Sequence, residues 1–141
     1  MKNTKLLLAV MITATFTTTG WAQKTTPKVA GGDKDQHGCI GSAGYTYSVL
    51  KDDCVKLFEE KIQLREANPQ KSYVSNAVVI LSKDKKKAEL FLPESKGSII
   101  LNRTLEYLNT SVYKSKKGTY NLNKEKDSYT LRKGKKIIYS I

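Results

Sequence analysis

The sequence predicts an all-β protein, a small antiparallel β-barrel or sandwich of seven to eight strands with a disulfide-stapled N-terminal loop. Three observations carry this expectation. From Ala77 to Ile141, short runs of β-branched, aliphatic and aromatic residues recur, several with a period of two. Polar, lysine-rich turns separate those runs. The only two cysteines, Cys39 and Cys54, both lie upstream of the ladder.

The elements are taken in chain order. Lys2 and Lys5, the apolar stretch Leu6 to Phe16 and the small-x-small triplet Gly20-Trp21-Ala22 read as an export signal over residues 1–22. The stretch is short of the roughly 20 residues that a transmembrane helix needs, and no later segment approaches that length. A buried amphipathic helix is the alternative, and Thr13, Thr15 and Thr17 to Thr19 argue against it. No cysteine follows the apolar stretch, which disfavours a lipid-anchored form. The expected location is therefore outside the cytoplasm, periplasmic or secreted. Residues 23–37 carry Thr25, Thr26, Pro27, Gly31 and Gly32 among charges and read as a flexible leader.

Residues 38–54 form a disulfide loop segment. In an exported chain an even pair of cysteines most simply makes one bridge. A loop of this length is worth about 3 kcal/mol in the chain-entropy account. The alternative is a reactive thiol near His37. Tyr45 to Val49 alternates as a short strand, and Tyr45 and Tyr47 with the disulfide are expected to cover one end of the barrel; a recognition loop is the other possibility.

Residues 55–141 are assigned to the barrel. Val55 to Glu66 fits a helical stripe (Val55, Phe58, Ile62) or two strand pieces kinked at Glu59-Glu60, and strand is preferred because the segment must pair with the strands downstream of it. Ala67-Asn68-Pro69 ends it either way. Strands are then expected at Ala77 to Leu81, Ala88 to Leu92, Ser98 to Leu101, more weakly Tyr107 to Lys114, and at Gly118 to Leu122, Ser128 to Arg132 and Lys135 to Ser140.

Charge is unevenly placed. Residues 23–82 hold 8 basic and 7 acidic groups, net +1, whereas residues 83–141 hold 15 and 6, net +9. Either lysine-rich turns are simply solvated, or the C-terminal half meets an anionic partner. Nucleic acid is the usual target of basic patches, but export argues against it.

Catalytic chemistry has no support. His37 is the single histidine, and Asp33, Asp35 and His37 sit on a glycine-flanked arm poorly suited to holding a metal. The adjacent pairs Asp52-Asp53 and Glu59-Glu60 read as solvated carboxylates. No nucleophile elbow, phosphate loop or zinc spacing is present. A non-enzymatic protein without a cofactor or metal is expected.

Residues 77–141 resemble the bacterial membrane-bound or periplasmic inhibitors of C-type lysozyme. The similarity begins at Lys87-Ala88-Glu89-Leu90-Phe91-Leu92-Pro93, a strand ending in a Leu-Pro turn, and continues through Ser98 to Leu101. Asn109-Thr110-Ser111-Val112-Tyr113 falls where that family carries Ser-Gly-x-x-Tyr, with only Tyr113 literally kept. Tyr120 corresponds to an aromatic seven residues on, the following turn lysine is Lys124 or Lys126, and Ser128 to Tyr139 matches the closing hairpin. The family's C-terminal disulfide has no counterpart here.

The resemblance implies a compact antiparallel barrel in which two loops enter a muramidase cleft and meet its catalytic carboxylates. Lys124 would supply the ammonium, and Asn109, Thr110 or Ser111 the hydrogen bond, while Tyr113 and Tyr120 would pack the loops. The alternative is a basic envelope-binding module for anionic glycopolymer or lipopolysaccharide.

Overall fold

A computed structural model describes residues 33–69 and 75–141. The expected export signal and the leader up to residue 32 lie outside the described residues. The described chain forms a closed eight-stranded antiparallel barrel and a separate two-stranded hairpin carrying the disulfide. In chain order the strands are β1 (Tyr45–Ser48), β2 (Asp53–Lys56), β3 (Ile62–Glu66), β4 (Asn76–Leu81), β5 (Lys87–Phe91), β6 (Ser98–Tyr107), β7 (Thr110–Ser115), β8 (Tyr120–Glu125), β9 (Ser128–Lys133) and β10 (Lys136–Ser140). β1 pairs with β2; β3 to β10 follow one another around the barrel, and β10 returns to β3.

The period of two places one residue set inside. Leu64, Ala77, Val79, Ala88, Leu90, Leu101, Tyr113, Leu122, Tyr129, Leu131 and Tyr139 pack together as the barrel core. Small Ala77 and Ala88 alternate with Leu and Tyr, so that side chains of different size share the interior. The barrel closes through only two Cα partner pairs, Tyr139 with Glu66 and Ser140 with Arg65. One further hydrogen bond, from the Ala67 N–H to the Ile138 carbonyl (2.9 Å), extends that join.

Val78, Ile80 and Phe91 point the other way, yet they are buried too. They meet Val55 and Leu57 in a second apolar cluster beneath the disulfide hairpin. A strand covered on both faces reads as an unbroken apolar run, which is why Ala77 to Leu81 shows no alternation. The disulfide unit thus lies against the outer wall of β4 and β5, and not across a barrel end as expected from the sequence. The polar backbone of β1 and its turn needs partners on that apolar wall, and Glu89 provides them.

The two ambiguous segments resolve locally. Residues 53–66 form β2, a short 3-10 turn at Leu57–Glu59 and β3, so the kinked-strand alternative holds. β6 runs ten residues, well past the expected end at Leu101. A register irregularity between Arg103 and Leu105 resets the side-chain alternation there, which hides the strand's continuation in the sequence.

Candidate functional site

Three hairpin turns gather at one barrel mouth: β4–β5, β6–β7 and β8–β9. Register does the assembling. Glu106, Ser111, Lys124 and Tyr129 are successive cross-strand partners from β6 to β9, and Tyr107, Thr110, Glu125 and Ser128 form the next row outward. The sequence-predicted residues Asn109, Thr110, Ser111 and Lys124 therefore lie at one mouth, Ser111 and Lys124 in one row and Thr110 in the row beyond it. Ser111 and Lys124 face each other directly on neighbouring strands.

The turns are held to one another. The Lys126 N–H donates to the Asn109 carbonyl at 3.0 Å, tying the β8–β9 turn to the β6–β7 turn. Lys126 itself adopts a left-handed backbone (φ 53°) at the turn and is exposed. Of the two candidate lysines, Lys124 is the one opposite Ser111. Its ammonium lies over the Tyr129 ring, 6.0 Å from the centroid, and no carboxylate pairs with it among the described residues. Glu106, in the same row, is already engaged by Arg103 at 2.8 Å. The row thus offers a hydroxyl and an ammonium side by side.

Tyr113 supports this mouth from within. It is 1 % exposed, and its hydroxyl donates to the Lys85 carbonyl at 3.0 Å, drawing the β4–β5 turn against β7. The same turn is braced by Asp84, which accepts from the Ser82 hydroxyl at 2.6 Å and the Lys86 N–H at 3.0 Å. Those two bonds hold the Asp84 carboxyl below its usual range. Burial pushes the phenols of Tyr113 and Tyr129 up. The folded state therefore resists their ionisation, so the stability tied to these phenols is complete below pH 10.0 and falls as pH rises beyond it. Tyr113→Phe should show a smaller loss of stability between pH 8 and pH 11 in denaturant titrations, with pH 8 the reference condition. An unchanged loss would exclude Tyr113 as a source.

Tyr120 packs as well, but at the opposite mouth. It begins β8, its N–H donates to the Ser115 hydroxyl at 3.0 Å, and Lys133 lies over its ring at 5.8 Å. It does not meet Asn109 or Lys124. Cys39 and Cys54 are bonded, with their Cα atoms 5.6 Å apart, within the hairpin unit that covers the outer wall of β4 and β5.

Sequence reasoning missed two features. One is an exposed apolar ridge at the β6–β7 tip, where Leu105, Tyr107 and Leu108 are 49 %, 68 % and 85 % exposed. Leu108 is also left-handed (φ 48°), a conformation that a bulky residue rarely adopts. Three large apolar residues just before the Asn109 turn were the available signal. The other is Glu89, wholly buried on the outer wall and accepting from the Ser48 hydroxyl (2.6 Å), the Val49 N–H (2.9 Å), the Leu50 N–H (3.0 Å) and the Ser98 hydroxyl (2.6 Å). Its signal was one carboxylate inside the apolar run Ala88 to Leu92.

The chain matches no protein-family model, no curated protein and no solved structure.

Proposed function

We propose that this is an exported, non-enzymatic binding protein that blocks the cleft of a muramidase or related glycosidase with its β6–β7 and β8–β9 hairpins. One observation carries the reading: the Ser111 hydroxyl and the Lys124 ammonium, which has no carboxylate partner among the described residues, are cross-strand neighbours behind a projecting apolar tip. A glycosidase cleft presents two carboxylates a few ångströms apart, with apolar sugar-binding walls around them. Lys124 extends between the two acids, and Ser111 or Thr110 hydrogen-bonds one of them. Exclusion of water strengthens both contacts. Tyr107 and Leu108 press on the wall, so apolar burial adds to the charge pairing.

Long-range charge favours an acidic or weakly basic target. The whole chain carries a formal +12, or +10 without Lys2 and Lys5 of the expected export signal, which slows association with a strongly basic lysozyme at low salt. The proposed mouth is more balanced, because Asp84, Glu106, Glu125 and Asp127 stand among its lysines. Raising the salt should therefore leave cleft binding intact or speed it.

The test is a lysozyme turbidity assay with the purified protein against acidic and basic C-type enzymes. Lys124→Ala should weaken inhibition about 30-fold or more, as expected when one member of a desolvated charge pair is removed. Ser111→Ala should weaken it about fivefold, in line with one hydrogen bond. Inhibition of none of the enzymes would end this reading. Inhibition indifferent to Lys124→Ala would move the contact elsewhere on the surface.

A further inference from the structure

The barrel's other mouth carries a different surface. Its β7–β8 and β9–β10 turns bring Lys116, Lys117, Lys133, Lys135 and Lys136 onto one rim. The rim is fixed, because the Gly134 N–H donates to the Thr119 carbonyl at 3.0 Å and so joins the two turns directly. Left-handed Gly118 (φ 69°) and Gly134 (φ 60°) allow both turns to be tight. None of the five lysines forms an ion pair among the described residues. Like charges gathered on one rim repel one another, Lys133 and Lys136 most directly as cross-strand partners, and a polyanion relieves that repulsion.

A groove of about 180 Å³ opens beside the rim. Leu92, Tyr120, Ile137 and Ile138 give it apolar walls, and Lys133 and Lys136 reach it from the rim. Glu66 and Glu94 also line it. Two carboxylates repel a phosphate lying in the groove, yet they accept hydrogen bonds well from hydroxyl groups. A ligand suited to both features is a chain of hydroxyl-bearing rings whose anionic groups project at intervals along one side.

We propose that this mouth binds an anionic polysaccharide, with its acidic groups on Lys116, Lys117 and Lys135 and a sugar ring seated in the Tyr120 groove. The surface does not depend on the muramidase reading, since it lies at the opposite end from Lys124. A chain anchored here to an envelope glycan leaves the Ser111–Lys124 mouth facing outward.

A defined oligogalacturonate, with one carboxylate and free hydroxyls on each ring, is the probe for calorimetry on the full-length protein. Affinity should fall about a hundredfold between 50 and 200 mM salt if about five lysines engage. Lys117→Gln/Lys135→Gln/Lys136→Gln should weaken binding at least tenfold and lower the salt slope by about 2. A control with the same charge change, Lys83→Gln/Lys85→Gln/Lys86→Gln at the other mouth, should bind as before. Glu94→Gln separates a glycan from a bare polyanion: it should weaken oligogalacturonate and strengthen inorganic polyphosphate. Equal losses in the two triple variants would overturn the proposal, leaving net charge alone. So would Glu94→Gln strengthening both probes, or tighter binding to phosphatidylglycerol vesicles or to duplex DNA than to the glycan.

Discussion

Glu89→Gln should lower the unfolding free energy by about 3 kcal/mol and release the β1–β2 turn from the barrel wall. The carboxylate of Glu89 accepts four hydrogen bonds while wholly buried. Two of its donors, the Val49 and Leu50 N–H groups, are backbone and cannot turn around. An amide in place of the carboxylate sets its own NH2 against one of them. Ser48 cannot fully compensate, because its hydroxyl oxygen already accepts from the Lys51 N–H at 3.2 Å. Urea titration of Glu89→Gln beside Glu94→Gln checks the claim, since Glu94 is exposed and should cost almost nothing. A change within about 0.5 kcal/mol for Glu89→Gln, the range of ordinary surface substitutions, would show that these bonds do not hold the hairpin.

Loss of the Cys39–Cys54 bridge should act on the same unit but leave the barrel standing. Cys39→Ala with Cys54→Ala removes a crosslink worth up to about 3 kcal/mol for its loop. The barrel pairs only among strands from Ile62 to Ser140, so it has no register contact to lose. Hydrogen exchange in the double variant should quicken from Asp35 to Lys51, where turns are held by Asp35 accepting from the Cys39 N–H and Glu89 from beyond. Protection in β5 to β9 should persist. Collapse of protection throughout the barrel would mean that the hairpin is part of its folding unit. The two variants together test one idea: the Cys39–Lys56 segment is clamped covalently at its base and by a carboxylate at its turn.

The barrel was readable where side chains obey one rule at a time. Tyr120 with Leu122, and Tyr129 with Leu131, alternate because one face meets the core and the other meets water. Ala77 to Leu81 named a strand but not its covering, since burial on both faces erases alternation and the hairpin above it is distant in sequence. Leu105 to Tyr107 failed for another reason: the irregularity beyond Arg103 shifts parity, and exposed apolar residues mimic core positions. The family resemblance singled out Asn109, Thr110, Ser111 and Lys124, and hairpin register, which is local, puts them at one mouth. It could not separate Tyr120 from them, as strand length decides which mouth each residue joins. Glu89 stood out as one carboxylate in an apolar run, but its role was not legible, because three of its four donors lie about forty residues away.

The brief join between β3 and β10 has its own consequence. Every other pairing in the cylinder links sequence neighbours, which find each other quickly, whereas this one must bring chain segments more than seventy positions apart into contact. It is also the least reinforced seam. Breathing of the native protein should start there, with the sheet uncurling into a meander before any hairpin melts, and its sealing should be the last act of folding.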